Sequence, residues 1–157
     1  GNINAQNNSR ENLRLDSTAN SEIKCNQSKV ILVVDDAISL RQTLSLTLQK
    51  YGHQVVQAQN GLDALEQLKM NPQVEVVISD LEMPRMNGFE LVTNLKQNPD
   101  TKNLPVVILT SRSAEKHRQL AQALGANAYL TKPYLEQEFI STVNNLINDL
   151  GSEIVEV

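Results

Sequence analysis

Three carboxylates in this 157-residue chain stand where apolar runs stop: Asp35 and Asp36 close "VILVVDD", and Asp80 closes "VEVVISD". Two further runs end on groups that suit related chemistry, with "LPVVILTS" delivering Thr110 and Ser111 and "AYLTKP" delivering Lys132 followed by Pro133. Acids held together repel; at ~5 Å and an effective dielectric of 20, each pair costs roughly 3 kcal/mol. Lys132 can offset one charge, and a divalent ion can offset two. No His or Cys stands at these ends, so an oxygen-only ligand set with room for waters favours Mg²⁺ over zinc. A carboxylate beside Mg²⁺, a lysine and a small hydroxyl can attack a phosphoryl group to give an aspartyl phosphate. Catalysis would then rest on positioning and charge neutralisation.

These groups meet only if the elements that carry them bring their ends together. The runs at 30–36, 54–58, 74–80, 104–111 and 128–133 are short, apolar and mostly β-branched, as strands are. Helical periods lie between and after them: Leu40, Leu44, Leu48 and Tyr51; Leu62, Leu65 and Leu68; Phe89, Val92 and Leu95; Leu120 and Leu124; and Phe139, Val143, Leu146 and Leu150. Repeated strand–helix units with continuous apolar strands predict an α/β fold, a parallel sheet covered by helices on both faces. Right-handed crossovers favour the doubly wound five-stranded order 2-1-3-4-5. In such sheets the ligand crevice lies beyond the carboxyl ends of the strands where the order reverses. The second run, at an edge, ends in Ala58 and Gln59, so the chemistry gathers on the other strands.

Composition narrows the function classes. With 40% hydrophobic and 20% charged residues the chain suits one domain with a core, and with 3% aromatics and no Trp that core must be aliphatic. No apolar stretch approaches the ~20 residues of a membrane span, and a cytoplasmic protein is expected. A net charge of −4 provides no basic stripe for phosphates, which argues against direct nucleic-acid binding. The single cysteine, Cys25, cannot form an internal disulfide. Residues 1–28 hold 7 Asn, 2 Gln and 4 Ser, and read as a flexible linker or tail. The domain is expected over 29–150, with a short C-terminal tail at 151–157.

The pair Asp35-Asp36, the stretch "DLEMPRMNGFEL" from Asp80, Thr110, Tyr129 and Lys132-Pro133 resemble the receiver domain of two-component response regulators. The motifs agree in order and spacing, with 30 positions from Asp80 to Thr110, 19 more to Tyr129 and 3 more to Lys132. The resemblance covers 29 to about 150 and implies the flavodoxin-like receiver fold. It further implies that Asp80 accepts phosphate from a histidine kinase or a histidine phosphotransfer domain. Mg²⁺ (or Mn²⁺) would be held by Asp80, by Asp36 directly, by Asp35 mainly through water, and by the backbone carbonyl of Glu82. Lys132 would pair with the phosphoryl group, and Thr110 would move inward to bond it while Tyr129 changes rotamer. Pro133 would follow a cis bond, and Gly88 would shape the loop behind Asp80. The output surface would be the fourth helix, fifth strand and fifth helix, where receivers bind partners or form homodimers. The stretch from Thr110 to Phe139 is also similar to receivers at the ends of hybrid histidine kinases, including chemotaxis-type ones. The isolated domain would not be a conventional enzyme, although it would promote its own phosphorylation and dephosphorylation.

Plainer roles stand beside these. Asp36 would serve well as the N-cap of the first helix, and Thr110, Ser111 or Ser113 as that of the fourth. His53 and His117 read as surface residues. Glu82, two residues after Asp80, and Arg112, two after Thr110, are expected to form an opposite-charge gate that restricts attacking water and sets phosphate lifetime. Rival functions are a pseudo-receiver that binds partners without phosphorylation, a haloacid-dehalogenase-like phosphatase and a flavin carrier. The phosphatase would want its nucleophile in a DxD on the first strand, and the acidic "DDAISLRQ" would repel a flavin phosphate.

Overall fold

A computed structural model describes residues 28–156. Cys25 and all but the last residue of the expected linker lie outside that range. Strands β1 (Val30–Val34), β2 (Gln54–Ala58), β3 (Val76–Ser79), β4 (Val106–Thr110) and β5 (Ala128–Thr131) form one parallel sheet in the order β2-β1-β3-β4-β5. Helices α1 (Ile38–Lys50), α2 (Gly61–Met70), α3 (Gly88–Gln97), α4 (Glu115–Leu124) and α5 (Glu136–Glu156) make the connections and close the chain. Fold class and strand order are those predicted from the apolar runs.

Alternation along each strand divides the core. Leu32, Val34, Val77, Val106 and Ile108 face one side, where Ala64 and Leu68 of α2, Leu91, Val92 and Leu95 of α3 and Ala121 of α4 cover them. Ile31, Val33, Val76, Ile78, Val107 and Leu109 face the other, against Leu44 and Leu48 of α1 and Phe139, Ile140, Val143 and Ile147 of α5. Three strands covered on both faces need unbroken apolar sequence, so β1, β3 and β4 carry no interior polar residue.

The structure corrects several details. Leu40, Leu62 and Leu120 were expected on buried stripes but are 38%, 44% and 46% exposed. Ala64 and Ala121 are buried instead. Small residues let α2 and α4 approach the sheet closely, which bulk-weighted periodicity misses. His53, expected at the surface, is 3% exposed; its Nδ1 accepts the Lys29 N–H at 3.2 Å and its Nε2 lies 3.4 Å from Asn144 Oδ1. The last helix passes Leu150 and runs to Glu156. Gly151 does not stop it, since one helical glycine costs only about 1 kcal/mol relative to alanine.

Candidate functional site

Val34 and Ser79 are register partners in β1 and β3, so Asp35 and Asp80 leave adjacent strands at the same level. On the other side of β3, Thr110 ends β4 opposite Thr131 of β5, which sets Lys132 one residue beyond; its N–H donates to the Thr110 carbonyl at 2.8 Å. The sheet therefore brings the acids and the lysine to one crevice. One carboxylate oxygen from each of Asp35, Asp36 and Asp80 lies within 4.8 Å of the others. Lys132 Nζ stands 3.3 Å from Asp35 Oδ2 and 3.8 Å from Asp80 Oδ2. The Lys132–Pro133 peptide bond is cis.

The three acids are held differently. Asp35 is buried, with Oδ1 accepting the Ala37 N–H at 2.9 Å and Oδ2 facing Lys132. Asp80 Oδ1 accepts the Leu81 N–H at 2.7 Å. Burial pushes the Asp80 carboxyl above the usual carboxylate range; Lys132 opposes this, the neighbouring Asp35 adds to it, and the Leu81 and Glu82 backbone bonds oppose it. Asp36 is exposed and, among the described residues, its side chain makes no hydrogen bond. It does not cap α1, whose N-cap is Ala37 with no side-chain bond. Its carboxylate is thus free to bind. Three acids against one lysine, with oxygen donors only, fit a hard divalent cation, and residues from two strand ends would supply its ligands.

The loop behind Asp80 is fixed tightly. Gly88 N–H donates to the Leu81 carbonyl at 2.9 Å. A Cβ at Gly88 would stand 2.4 Å from the Asp80 carbonyl oxygen and 2.8 Å from Leu81 Cα, so no other residue fits without moving the Asp80–Leu81 backbone. Asn87 and Glu90 form a reciprocal capping box that starts α3 at this point. Arg85 has φ 71°, in the left-handed region, beneath a Met86 N–H to Pro84 carbonyl bond of 2.8 Å.

Opposite that loop, Arg112 gathers three contacts. Its N–H donates to Thr110 Oγ1 at 3.2 Å, its carbonyl accepts the Tyr129 hydroxyl at 2.6 Å, and its guanidinium pairs with Glu82 across the mouth of the crevice. That pairing holds the Glu82 carboxyl below its ordinary range. Thr110 is buried, and its hydroxyl engages Arg112 rather than Asp80. Tyr129 is 9% exposed, with Arg118 lying 4.9 Å above its ring and donating to its carbonyl at 3.2 Å. Neither Ser111 nor Ser113 caps α4, whose N-cap is Ala114 without a side-chain bond. His117 stacks on Phe89 with ring centroids 6.2 Å apart.

Two contributors escaped the sequence reading. Arg118 is one. The other is Arg41, whose Nη1 donates to the Asp35 carbonyl at 2.7 Å and whose Nε donates to Gln57 Oε1 at 3.1 Å. Its sequence signal is its place in α1 five residues after Asp36, which the apolar period of that helix does not register. A separate groove of about 720 Å³ between α2 and α3, beside Val74 and Leu104 at the start of β3 and β4, contains none of the expected site residues.

Residues 31–144 match the family model described as response regulator receiver domain. Protein PilH of Pseudomonas aeruginosa is 36% identical over 117 residues, covering 74% of this chain and 96% of that protein. Among solved structures, chemotaxis protein CheY4 of Vibrio cholerae is 35% identical with a TM-score of 0.71, covering 75% of this chain and 98% of that one. The Mn²⁺-bound form of response regulator Rcp1 is 30% identical with a TM-score of 0.64, covering 75% and 91%.

Proposed function

The chain belongs to the response regulator receiver domain family of two-component signalling, and from that premise we propose that Asp80 is its phosphoacceptor. The observation that carries this reading is the crevice itself, where the Asp80 carboxylate lies beside Asp35, Asp36 and Lys132 beyond the ends of β3, β1 and β5. An ionised Asp80 oxygen attacks the phosphorus of a phosphohistidine on a histidine kinase or phosphotransfer domain. The new O–P bond forms as the N–P bond breaks, and the imidazole nitrogen leaves with the electron pair and takes up a proton. Asp80, Asp36 and the Glu82 carbonyl would hold Mg²⁺, with Asp35 acting through water. The bound ion supplies positive charge that neutralises the transferring group. Lys132 Nζ, which lies 3.3 Å from Asp35 and 3.8 Å from Asp80, would pair with the phosphoryl oxygens.

The rim supports docking of a phosphodonor. Ile38, which opens α1 just after the acids, is 61% exposed, and Leu135, just after Lys132-Pro133, is 75% exposed. Apolar side chains at the mouth of an acidic crevice would exclude water from a donor's imidazole.

The response runs through Arg112. When the Thr110 hydroxyl turns to a phosphoryl oxygen, it gives up the Arg112 N–H. Arg112 then shifts, and with it the carbonyl that holds the Tyr129 hydroxyl. Tyr129 sits on β5 under Arg118 of α4, so the displacement emerges on the α4-β5-α5 surface as a population shift.

Intact-mass measurement after incubation with acetyl phosphate and Mg²⁺ tests the acceptor. One added phosphate is expected, absent from Asp80→Asn and from reactions with chelator. An adduct that persists in Asp80→Asn would reject Asp80 as acceptor. No adduct from either a small donor or a cognate kinase would favour a phosphorylation-independent binding module.

A further inference from the structure

We propose that Arg41 is a positioning residue for the metal site, acting through the peptide group that joins Asp35 to Asp36. This inference rests on the reading of the acidic crevice as a cation site. The Asp35 carbonyl and the Asp36 N–H belong to one planar unit. Upstream of it the chain is fixed, because Asp35 N–H donates to the Ala58 carbonyl at 3.1 Å and continues the β1–β2 ladder. The Asp35 carbonyl itself lies past the last strand register pair, Val34 with Ala58 and with Ser79, and so has no strand partner. Asp35 is 2% exposed, which leaves that oxygen little access to water. Arg41 Nη1 satisfies it at 2.7 Å.

The guanidinium is itself anchored. Its Nε donates to Gln57 Oε1 at 3.1 Å, which joins the ends of β1 and β2 through a planar fork. The Arg41 backbone is fixed by its N–H to the Ala37 carbonyl at 3.0 Å, and its carbonyl accepts the Ser45 hydroxyl at 2.7 Å. The group most in need of this is Asp36. Asp35 has Ala37 and Lys132 on its carboxylate, and Asp80 has Leu81, but among the described residues the Asp36 side chain has no bond of its own. Its direction is set by its backbone, and the peptide plane that Arg41 holds fixes the entry to that backbone.

The charge and the geometry of Arg41 predict opposite results, which makes the assignment testable. A guanidinium acting only as a charge repels a divalent cation, so its removal would tighten binding; one that aims Asp36 strengthens binding, so its removal weakens it. Mg²⁺ titration by calorimetry on the full chain should show Arg41→Met binding about tenfold more weakly, the scale for losing a group that orients a ligand. Arg41→Lys should recover part of the loss. In an Asp36→Asn background, the Arg41→Met effect should fall below about twofold, because the two act as a unit. Gln57→Leu, which keeps Arg41 and removes its anchor, should cost roughly threefold, the size of one modest hydrogen bond, and serves where Arg41→Met does not fold. Wild-type affinity or tighter in both Arg41→Met and Gln57→Leu overturns the proposal while leaving the metal site intact. A wild-type chain that binds no Mg²⁺ overturns the cation reading and this inference together.

Discussion

Asp80→Asn should stabilise the metal-free protein at neutral pH, by an amount that can be worked from the crevice. The Asp80 carboxylate lies within 4.8 Å of an Asp35 oxygen, worth about 3.5 kcal/mol of repulsion at an effective dielectric of 20. Asp36 is at the same range but exposed, and at the dielectric of water contributes only about 1 kcal/mol. Lys132 at 3.8 Å returns about 4 kcal/mol of attraction. The charge terms nearly cancel, which leaves the desolvation of a carboxylate whose side chain is 13% exposed. Asparagine removes that penalty and keeps an oxygen for the Leu81 N–H. We expect a gain of about 1–2 kcal/mol, or about 4–8 °C in the thermal midpoint. The sign of the pH dependence follows from the raised carboxyl. The folded state holds the Asp80 proton to higher pH than the unfolded chain, whose carboxyl titrates near the ordinary 3.8. The associated stability is full below that value and is lost as pH rises through the folded pKa. The advantage of Asp80→Asn should therefore vanish toward about pH 4 and shrink in millimolar Mg²⁺, which stabilises only a chain able to bind it. Thermal melts of both proteins at the two pH values, with chelator and with Mg²⁺, decide the matter. An Asp80→Asn protein less stable than wild type at neutral pH without Mg²⁺ would refute the reasoning.

His53 gives a second pH signature of different origin. Burial holds its imidazole below the ordinary 6.5, against a smaller upward pull from Asn144, so stability from the neutral ring is full above the unfolded pKa and lost as pH falls through the folded one. His53→Gln should flatten the decline in melting temperature between about pH 7 and pH 5; an unchanged slope would mean the ring does not titrate across folding. At the mouth of the crevice, Glu82→Ala and Arg112→Ala should each speed hydrolysis of the aspartyl phosphate several-fold while leaving the melting temperature nearly unchanged, because the pair is exposed and screened by solvent. Phosphate-loss kinetics unchanged in both would remove the gate.

The fold was legible because three of the strands are buried on both faces and so must be written as unbroken aliphatic runs. Asp35, Asp36 and Asp80 were legible for a related reason, since a polar residue at the end of such a run has few places to point, whereas Lys132 follows the partly buried edge strand β5 and was legible from its place directly after an apolar run. What the sequence concealed were contacts that end on backbone. Arg41 bonds the Asp35 carbonyl and Tyr129 the Arg112 carbonyl, and a carbonyl carries no sequence signature. Ala64 and Ala121 were missed as core because closeness of approach is invisible to a search for bulk. His53 was missed because its partners, Lys29 N–H and Asn144, lie 24 and 91 positions away.

Gly61 and Gly88 place two helix starts against the loop that carries Asp80, and neither leaves room for a methyl group: a Cβ on the first would stand 2.6 Å from Met86, and on the second 2.4 Å from the Asp80 carbonyl. Across the crevice, α4 begins without a side-chain cap, and Thr110, Arg112 and Tyr129 are joined by single hydrogen bonds. The two walls therefore differ in stiffness, one an anvil and the other a lever. We expect a phosphoryl group in the crevice to displace the Thr110–Arg112–Tyr129 side before the Gly88 side, where a shift would drive the chain into the Asp80 backbone.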